Sequence, residues 1–495
     1  METNQGIGTR GVGLGSEPRG HRVRGILARH WLLAILLAGG VALRVLAWLA
    51  YQPALLYFDS FRYLDNIGIH NPAGLHPIGY DLLILRPLLS VGGLDLVSAV
   101  QHVAGLGCAV GLYALALRLR APTWLGAIAA APVLLDAYIV QIEQMIMSDI
   151  WLLVALVVML WLLLGTRSTS GAPNPRRAAL AGLVLGIAVA LRMIAISLVV
   201  PAVIYLIIAG GAWRAWRDRD ALRVIAQRTG AFLVMFAVVI GSYAGYFYTQ
   251  TGKIGLSNAS ANVLYSRAAV VADCAELDLD PILRLACPTE PVGQRRPDYY
   301  AHRAADEEWV DTFPPGTNIP RVQHEFGIEV FKAQPLDVLG AVVVDFLKGF
   351  RPARTDAPND VSVARWHFQR EYQYYNHRNI TVAYSREYDG EAPSDIPAIG
   401  SFLRSYQLTV GYTPGPLLAA FGVIAIAALL GVGRARTSGL RSAALLSVGM
   451  GVTILFASAA FEFSWRYQLP GIVLLPIAGV IGIVALWGRR RHLWN

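Results

Sequence analysis

Charge is what this sequence has least of. Only 15% of its 495 residues are Asp, Glu, Lys or Arg, against about 25% in an ordinary soluble domain. A deficit of that size over so long a chain excludes both a soluble enzyme and a disordered protein. Lysine is scarcer still, three residues against 39 arginines, and with abundant alanine and glycine this is the composition of a high-GC bacterium. Cysteine occurs three times, at Cys108, Cys274 and Cys287, and neither spacing nor context suggests a zinc site. No internal repeat is visible.

What the chain does have is apolar length. Hydrophobic residues make up 55% of it, mean hydropathy is +0.47, and the apolar residues come in runs of roughly 20, enough to cross a bilayer at about 1.5 Å per residue. The pattern predicts an all-α polytopic membrane protein with about ten transmembrane helices, juxtamembrane helices, and a mostly helical or irregular extracytoplasmic segment. The spans fall near 31–50, 94–117, 123–140, 147–164, 178–193, 195–210, 230–249, 413–432, 442–460 and 467–487. Arg192 interrupts the pair at 178–210, which can also be read as one broken span. The first span is long, contains Arg44 and has no small-residue cleavage site after it, so it reads as an anchor rather than a signal peptide.

The net charge of +9 and a pI near 9.5 would suggest nucleic acid in a soluble chain. Here the orientation rule comes first. With the N-terminus inside, the inner segments 1–30, 118–122, 165–178, 211–229, 433–441 and 488–495 hold 21 of the 42 basic residues and 4 of the 33 acidic ones. That is +17 inside and −8 everywhere else. The positive charge is therefore an orientation signal, and a nucleic-acid partner is not supported. Four units follow: a flexible basic cytoplasmic tail (1–30), an N-terminal transmembrane module (31–249), an extracytoplasmic segment (250–412), and C-terminal helices with a basic tail (413–495).

The outer segment is too long for a linker and is rich in Trp and Tyr. Within it, residues 336–350 (LDVLGAVVVDFLKGF) are apolar but short and include Asp345 and Lys348, which predicts a helix lying on the bilayer surface. Cys274 and Cys287 both fall in this segment, where thiols oxidise. A bridge between them would close a short loop and add about 3 kcal/mol on the chain-entropy model. Cys108 sits within a span and reads as packing.

Polar residues that could do chemistry gather on the outer side. The first outer loop reads YFDSFRYLD from Tyr57, and if 59–65 is helical, Asp59, Arg62 and Tyr63 share one face at i, i+3 and i+4. A carboxylate flanked by an arginine and a phenol is a workable base beside an anionic group; the alternative is a solvated helix end with a local ion pair. His76 follows in the stretch LHPIGYD. The second outer loop carries Glu143 and Asp149, the latter opening a span where the helix dipole favours negative charge. Acids at this depth are costly and default to functional candidates, so Asp59, Asp149 and Glu143 are the candidate catalytic groups. Arg192 and Arg466 stand in apolar context at outer helix ends. Both can snorkel to the interface, and both suit a lipid phosphate, which guanidinium binds bidentately.

The order of these motifs resembles the C-type glycosyltransferase superfamily, most closely its polyprenyl-phosphate-sugar-dependent branch of protein O-mannosyltransferases and lipid A aminoarabinose transferases. Asp59 matches the acid of the first-loop motif, and residues 75–80 match its His-Pro-Pro-x-Tyr-like continuation with Ile78 in place of the second proline. Asp149 matches the aspartate that opens the fourth span, and Arg466-Tyr467 resembles the Arg-Tyr of the last outer turn. The resemblance covers the spans, residues 31–250 best, and is thin over 250–412. It departs at Ser60, where a second acid is usual, and in having no long carbohydrate-binding domain after the spans, which argues against the large cell-wall arabinosyltransferases.

The resemblance implies inverting transfer of a sugar from a polyprenyl phosphate to a glycan, protein or lipid acceptor on the outer face of a bacterial plasma membrane. Asp59 would be the base, with Arg62, Tyr63, His76, Arg192, Arg466 and Tyr467 around the substrate. It requires no organic cofactor and leaves a divalent cation open, although Ser60 puts metal bridging in doubt. Two other classes compete. A lipid-linked sugar flippase needs polar residues along a transmembrane path, which several spans lack. A non-catalytic envelope scaffold has no need of Asp59 and Asp149 on one face.

Overall fold

The computed structural model describes residues 19–72, 74, 76–165, 172–209, 218–258, 260–357 and 360–487. Most of the expected N-terminal tail, Leu75, the basic residues from 488 onward and parts of two expected inner loops (166–171 and 211–217) lie outside the described residues. Among these residues the structure is nearly all helical. Its one sheet is a two-residue antiparallel ladder, Tyr51 opposite Asp395 and Gln52 opposite Ser394, which ties the end of the first long helix to the outer segment.

Each apolar run forms helix, but the runs are not alike. Five helices are long and apolar enough to cross a membrane: Ala28–Ala50, Leu94–Arg118, Arg219–Thr251, Arg441–Ala459 and Trp465–Trp487. A sixth crossing is formed if Thr123–Leu135 and Ala137–Gln144, bent by 48° at Asp136, count as one. Asp149–Leu164, Met193–Ile208 and Gly415–Leu429 are apolar and shorter, and so is Pro175–Leu191. The expected ten stretches are therefore all helical, while length and composition alone qualify five or six as spans.

The helix Leu469–Trp487 is the centre of the molecule. It is buried without interruption from Leu469 to Gly482 and packs against Thr123–Leu135, Asp149–Leu164, Gly415–Leu429 and Arg441–Ala459. A helix apolar on every side is stable only when surrounded. Its outer end is a short 3-10 turn, Trp465–Gln468, so Arg466 stands at the top of the most enclosed helix. By contrast, Arg219–Thr251 leaves Val234 and Val238 exposed.

The bend at Asp136 is held by buried charge. Pro132 lies in the turn before it, and the freed carbonyls of Val133 and Leu134 accept bonds from Arg44 at 3.0 and 2.9 Å. Asp136 caps the following helix through Tyr138 N–H and pairs with Arg354 of the outer segment at 2.9 Å. A second tie runs through Arg267, whose guanidinium bonds Asp345 at 2.6 Å and the carbonyls of Ala459 and Phe461 at the outer end of Arg441–Ala459. These are the orphan carbonyls a helix terminus leaves, and satisfying them sets the turn that leads to Arg466.

The helix Pro335–Lys348 has its polarity inverted. Asp345 and Lys348, which look out of place in the apolar run, face inward: Lys348 lies 2.8 Å from Asp345 and 2.5 Å from Asp360. Leu336, Leu339, Val344 and Leu347 are exposed. Around Tyr265, Trp309, Phe313 and Phe326 the outer segment also has its own small core, and Cys274 and Cys287, bonded to each other, border it.

Gly79 marks a close approach between the first outer loop and the membrane helices. A methyl group there would stand 2.3 Å from the carbonyl oxygen of Ala190, two residues before Arg192. Gly79→Ala should therefore lower the thermal midpoint of the purified protein, by the about 1–3 kcal/mol typical of overpacking. Gly107→Ala, which meets nothing within 4 Å, should leave the midpoint in place. Equal melting of the two variants would show that the approach is slack. Separately, non-reducing peptide mapping from native membranes should recover Cys274 and Cys287 on linked peptides; both thiols alkylating without reductant would remove that bond.

Candidate active site

Four pieces of chain meet at one end of the helix bundle, the end that the charge pattern predicts to be outside. The first is the short helix Phe58–Asn66, with Asp59 in its first turn. Its start is fixed by Ser60, whose hydroxyl accepts from Tyr57 N–H at 2.9 Å and donates to the Ile146 carbonyl at 2.9 Å. Ser60 is fully buried, so the residue that departs from the family pattern serves to join the two outer loops. Backbone bonds between Leu55 and both Gln144 and Ile146 continue the seam. Tyr63 extends it: its hydroxyl lies 3.1 Å from that of Ser148.

The second piece is Asp149, at the start of the helix Asp149–Leu164. The third is Arg192, where the helix Pro175–Leu191 stops and the backbone turns extended before a 3-10 stretch. That break aims the side chain at Asp149, which accepts from Arg192 Nη1 at 2.9 Å. The fourth is Arg466. Its Nη1 donates to Asp59 Oδ2 at 2.7 Å, its Nη2 to Asp149 Oδ2 at 2.8 Å, and its Nε to Asp149 Oδ1 at 3.0 Å. One buried guanidinium thus joins two carboxylates, and all three residues are at most 8% exposed.

Asp59 has further neighbours on its other oxygen. His76 Nε2 lies 3.2 Å from Oδ1 and Arg62 Nη1 3.8 Å. Burial pushes the Asp59 carboxyl up, but His76 and Arg466 beside it outweigh this and hold it well below the usual carboxylate range. It is an anion at any physiological pH. Arg62 is the exposed member of the group. Tyr467 is half-buried, with its ring 5.9 Å from the Arg192 guanidinium.

Glu143 does not join them. Both its oxygens are engaged elsewhere, one by Arg44 Nη2 at 2.8 Å and the other by His102 Nδ1 at 2.9 Å, and it is 0% exposed. Gly105 makes room for it, since a methyl there would overlap the carboxylate. Glu143 belongs to the clamp on the bend, with both oxygens already engaged. The sequence placed Glu143 and Asp149 on one side of the membrane, and the five residues between them send the two acids to different partners.

The donor set does not fit a divalent cation. Arg466 fills the gap between Asp59 and Asp149 where such an ion would bridge, and among the described residues no three His, Cys, Asp or Glu side chains converge on a metal-sized site.

Several groups at the site carry no sequence pattern. Glu462, four residues before Arg466, is buried with Oε2 unpartnered among the described residues. Burial, with Asp298 adding to it, pushes its carboxyl up to about 8, so at neutral pH it holds a proton and can donate. Trp366 and Tyr57 place their rings 5.6 and 5.8 Å from the Arg466 guanidinium, where cation–π attraction adds to the ion pairs. Spacing before Arg466 could have flagged Glu462. Nothing local could have flagged Trp366, 100 residues away.

No protein-family model matches the chain, and no curated protein matches it in sequence. Among solved structures it is similar to the oligosaccharyltransferase of Archaeoglobus fulgidus, crystallised with a tethered acceptor peptide, with 15% identity over 93% of this chain and a TM-score of 0.44. The chain spans half the length of that protein. It is also similar to ArnT from Cupriavidus metallidurans bound to undecaprenyl phosphate, with 14% identity over 89% of this chain and 77% of that one, and a TM-score of 0.26.

Proposed function

We propose that the chain is a polytopic glycosyltransferase of the bacterial plasma membrane that moves a sugar, with inversion, from a polyprenyl phosphate to an acceptor on the extracytoplasmic face. The observation that carries this reading is the buried Asp59–Arg466–Asp149 cluster at the outer helix ends, with Arg192 and Arg62 beside it. In this reading the chain crosses ten times, both termini are cytoplasmic, residues 250–412 cover the site, and the apolar face of Pro335–Lys348 rests on the bilayer. The acceptor is a glycan, protein or lipid hydroxyl or amide.

The chemistry asks little of the protein. A glycosyl phosphate already has a stable leaving group, so the general acid needed for a glycoside is dispensable. Asp59 takes the acceptor's proton as the acceptor atom bonds to C1. The C1–O bond to phosphate breaks, and its electron pair leaves with the polyprenyl phosphate. That growing charge is met by arginine, aimed before the reaction begins. Asp59 as it stands is a weak base, because His76 and Arg466 together outweigh its burial and hold it low. A phosphate that draws on the same guanidinium loosens that pairing, and the carboxylate gains basicity only when donor is present. Asp149 keeps Arg466 and Arg192 in place throughout.

Asp59→Asn should retain polyprenyl-phosphate binding and lower transfer by the ~10²–10⁴-fold typical of a lost general base. Arg466 is a poor probe of phosphate binding, since its removal strands two buried acids. Arg192 is the better one: Arg192→Ala should weaken binding of polyprenyl phosphate, and Arg192→Lys should restore it in part because the fork is lost. Transfer at the wild-type rate in Asp59→Asn, measured with a panel of polyprenyl-phosphate-linked hexoses and pentoses, would leave the reading without its base. Topology has its own check. A reporter fused after Asn495 should be active only in its cytoplasmic form; activity on the outside would invert the site assignment.

A further inference from the structure

The cluster explains how a phosphate is met but says nothing of the sugar. Beside it, on the His76 side, is a cavity of about 380 Å³ walled by Arg62, Tyr63, Asp65, Asn66, His76 and Asp81 among others. That is within the range of small-ligand sites. Two of its walls, His76 and Arg62, are the residues that touch the free side of Asp59. The cavity therefore opens next to the base and away from Asp149.

Asp81 is the unusual member. It is 3% exposed, and only Oδ2 is engaged by a side chain, accepting from Asn66 Nδ2 at 2.7 Å. Oδ1 has no hydrogen-bond partner among the described residues. A buried carboxylate oxygen left without a donor is costly, and here burial pushes the carboxyl up to about 7 despite the Asn66 bond. No guanidinium or ammonium group pairs with it, unlike Asp59, Asp136, Asp149, Glu143 and Asp345. Glu462 shares the unpartnered oxygen but lies beside Arg466 and does not line this cavity. Asp81 has a spare acceptor just beneath the surface of a cavity that the residue helps to line.

We infer that this cavity binds one polyhydroxylated sugar ring, with a ring hydroxyl donating to Asp81 Oδ1. The inference rests on the glycosyltransferase reading and adds the place and chemistry of sugar recognition. A second phosphate would be repelled by Asp81 and Asp65. An apolar group would leave Oδ1 unpaired. A neutral sugar offers a hydroxyl donor to Asp81, acceptors to Arg62, and a C–H face to the rings of Tyr63 and His76, which lie 5.2 Å apart. The ring belongs either to the donor or to the acceptor; both present the same chemistry to these walls.

The test uses the full-length protein in lipid nanodiscs, with bare polyprenyl phosphate, polyprenyl-phosphate-linked hexoses and pentoses, and methyl glycosides as probes. The variants are Asp81→Asn, which keeps the Asn66 bond and turns a carboxylate acceptor into an amide, and Asp81→Glu, which pushes the carboxylate into the cavity. Both should bind bare polyprenyl phosphate as wild type does, which also reports that they fold. If the ring is the donor's, a glycosylated lipid should bind wild type more tightly than the bare lipid, and the variants should lose that increment by about tenfold. If it is the acceptor's, lipid affinities should be equal and a methyl glycoside should lose about tenfold in the variants, measured with polyprenyl phosphate saturating. Sugar-dependent binding that is absent from wild type, or unchanged in both variants, would overturn the inference while bare-lipid binding leaves the wider reading standing. Failure of wild type to bind the bare lipid would remove both.

Discussion

The guanidinium of Arg466 sits between two carboxylates in a place water scarcely reaches. Two acids brought that close in a buried setting repel each other and lose hydration. A cation held between them, with three hydrogen bonds of 3.0 Å or less, makes the arrangement stable. Removing one member of such a group is destabilising by about 3–5 kcal/mol, because the charges left behind stay buried. The first outer loop, the opening of Asp149–Leu164 and the last outer turn are thus fixed relative to one another by one side chain. Arg192 adds a second positive charge on Asp149 and leaves the cluster close to neutral.

Other buried charges hold the frame around it. Arg44 and His102 fix Glu143 at the bent crossing, Arg354 pairs with Asp136 at the bend itself, and Arg267 closes the carbonyl end of Arg441–Ala459. In an apolar interior an unpaired charge costs several kcal/mol, so each of these pairs admits few alternatives. Arg354 and Arg267 both come from the outer segment and both reach acids or carbonyls at helix ends. The outer segment is therefore bonded to the membrane helices through charge, while its own core around Tyr265 and Phe326 is apolar.

Asp59 lies at a boundary. On one side is the Arg466–Asp149 pair, whose charges balance; on the other are His76, Arg62 and the cavity lined in part by Asp81. A glycosyl phosphate has the same division, a charged phosphate joined to a neutral ring through one carbon. A base placed at that junction can reach the acceptor without crossing either half. Glu462, four residues before Arg466, is buried beside it, and burial pushes its carboxyl up to about 8.

The sequence alone determined what depends on length, composition and local pattern. Runs of about 20 apolar residues become helices because nothing else satisfies a backbone in lipid. Asp59, Asp149, Arg192 and Arg466 stand out because charge in apolar context is too costly to be incidental, and the structure brings these four together. The inward turn of Asp345 and Lys348, the binding of Glu143 into the bend, the use of Ser60 as a loop fastener, and the places of Trp366, Glu462 and Asp81 were decided only in three dimensions. The reason is range. A helix and its apolar face are set by neighbours three or four residues away, whereas Arg466 and Asp59 are 407 residues apart. Which acid meets which base over that distance depends on how the helices pack around Leu469–Trp487, and two acids six residues apart can be sent to opposite fates by the helix break between Gln144 and Asp149.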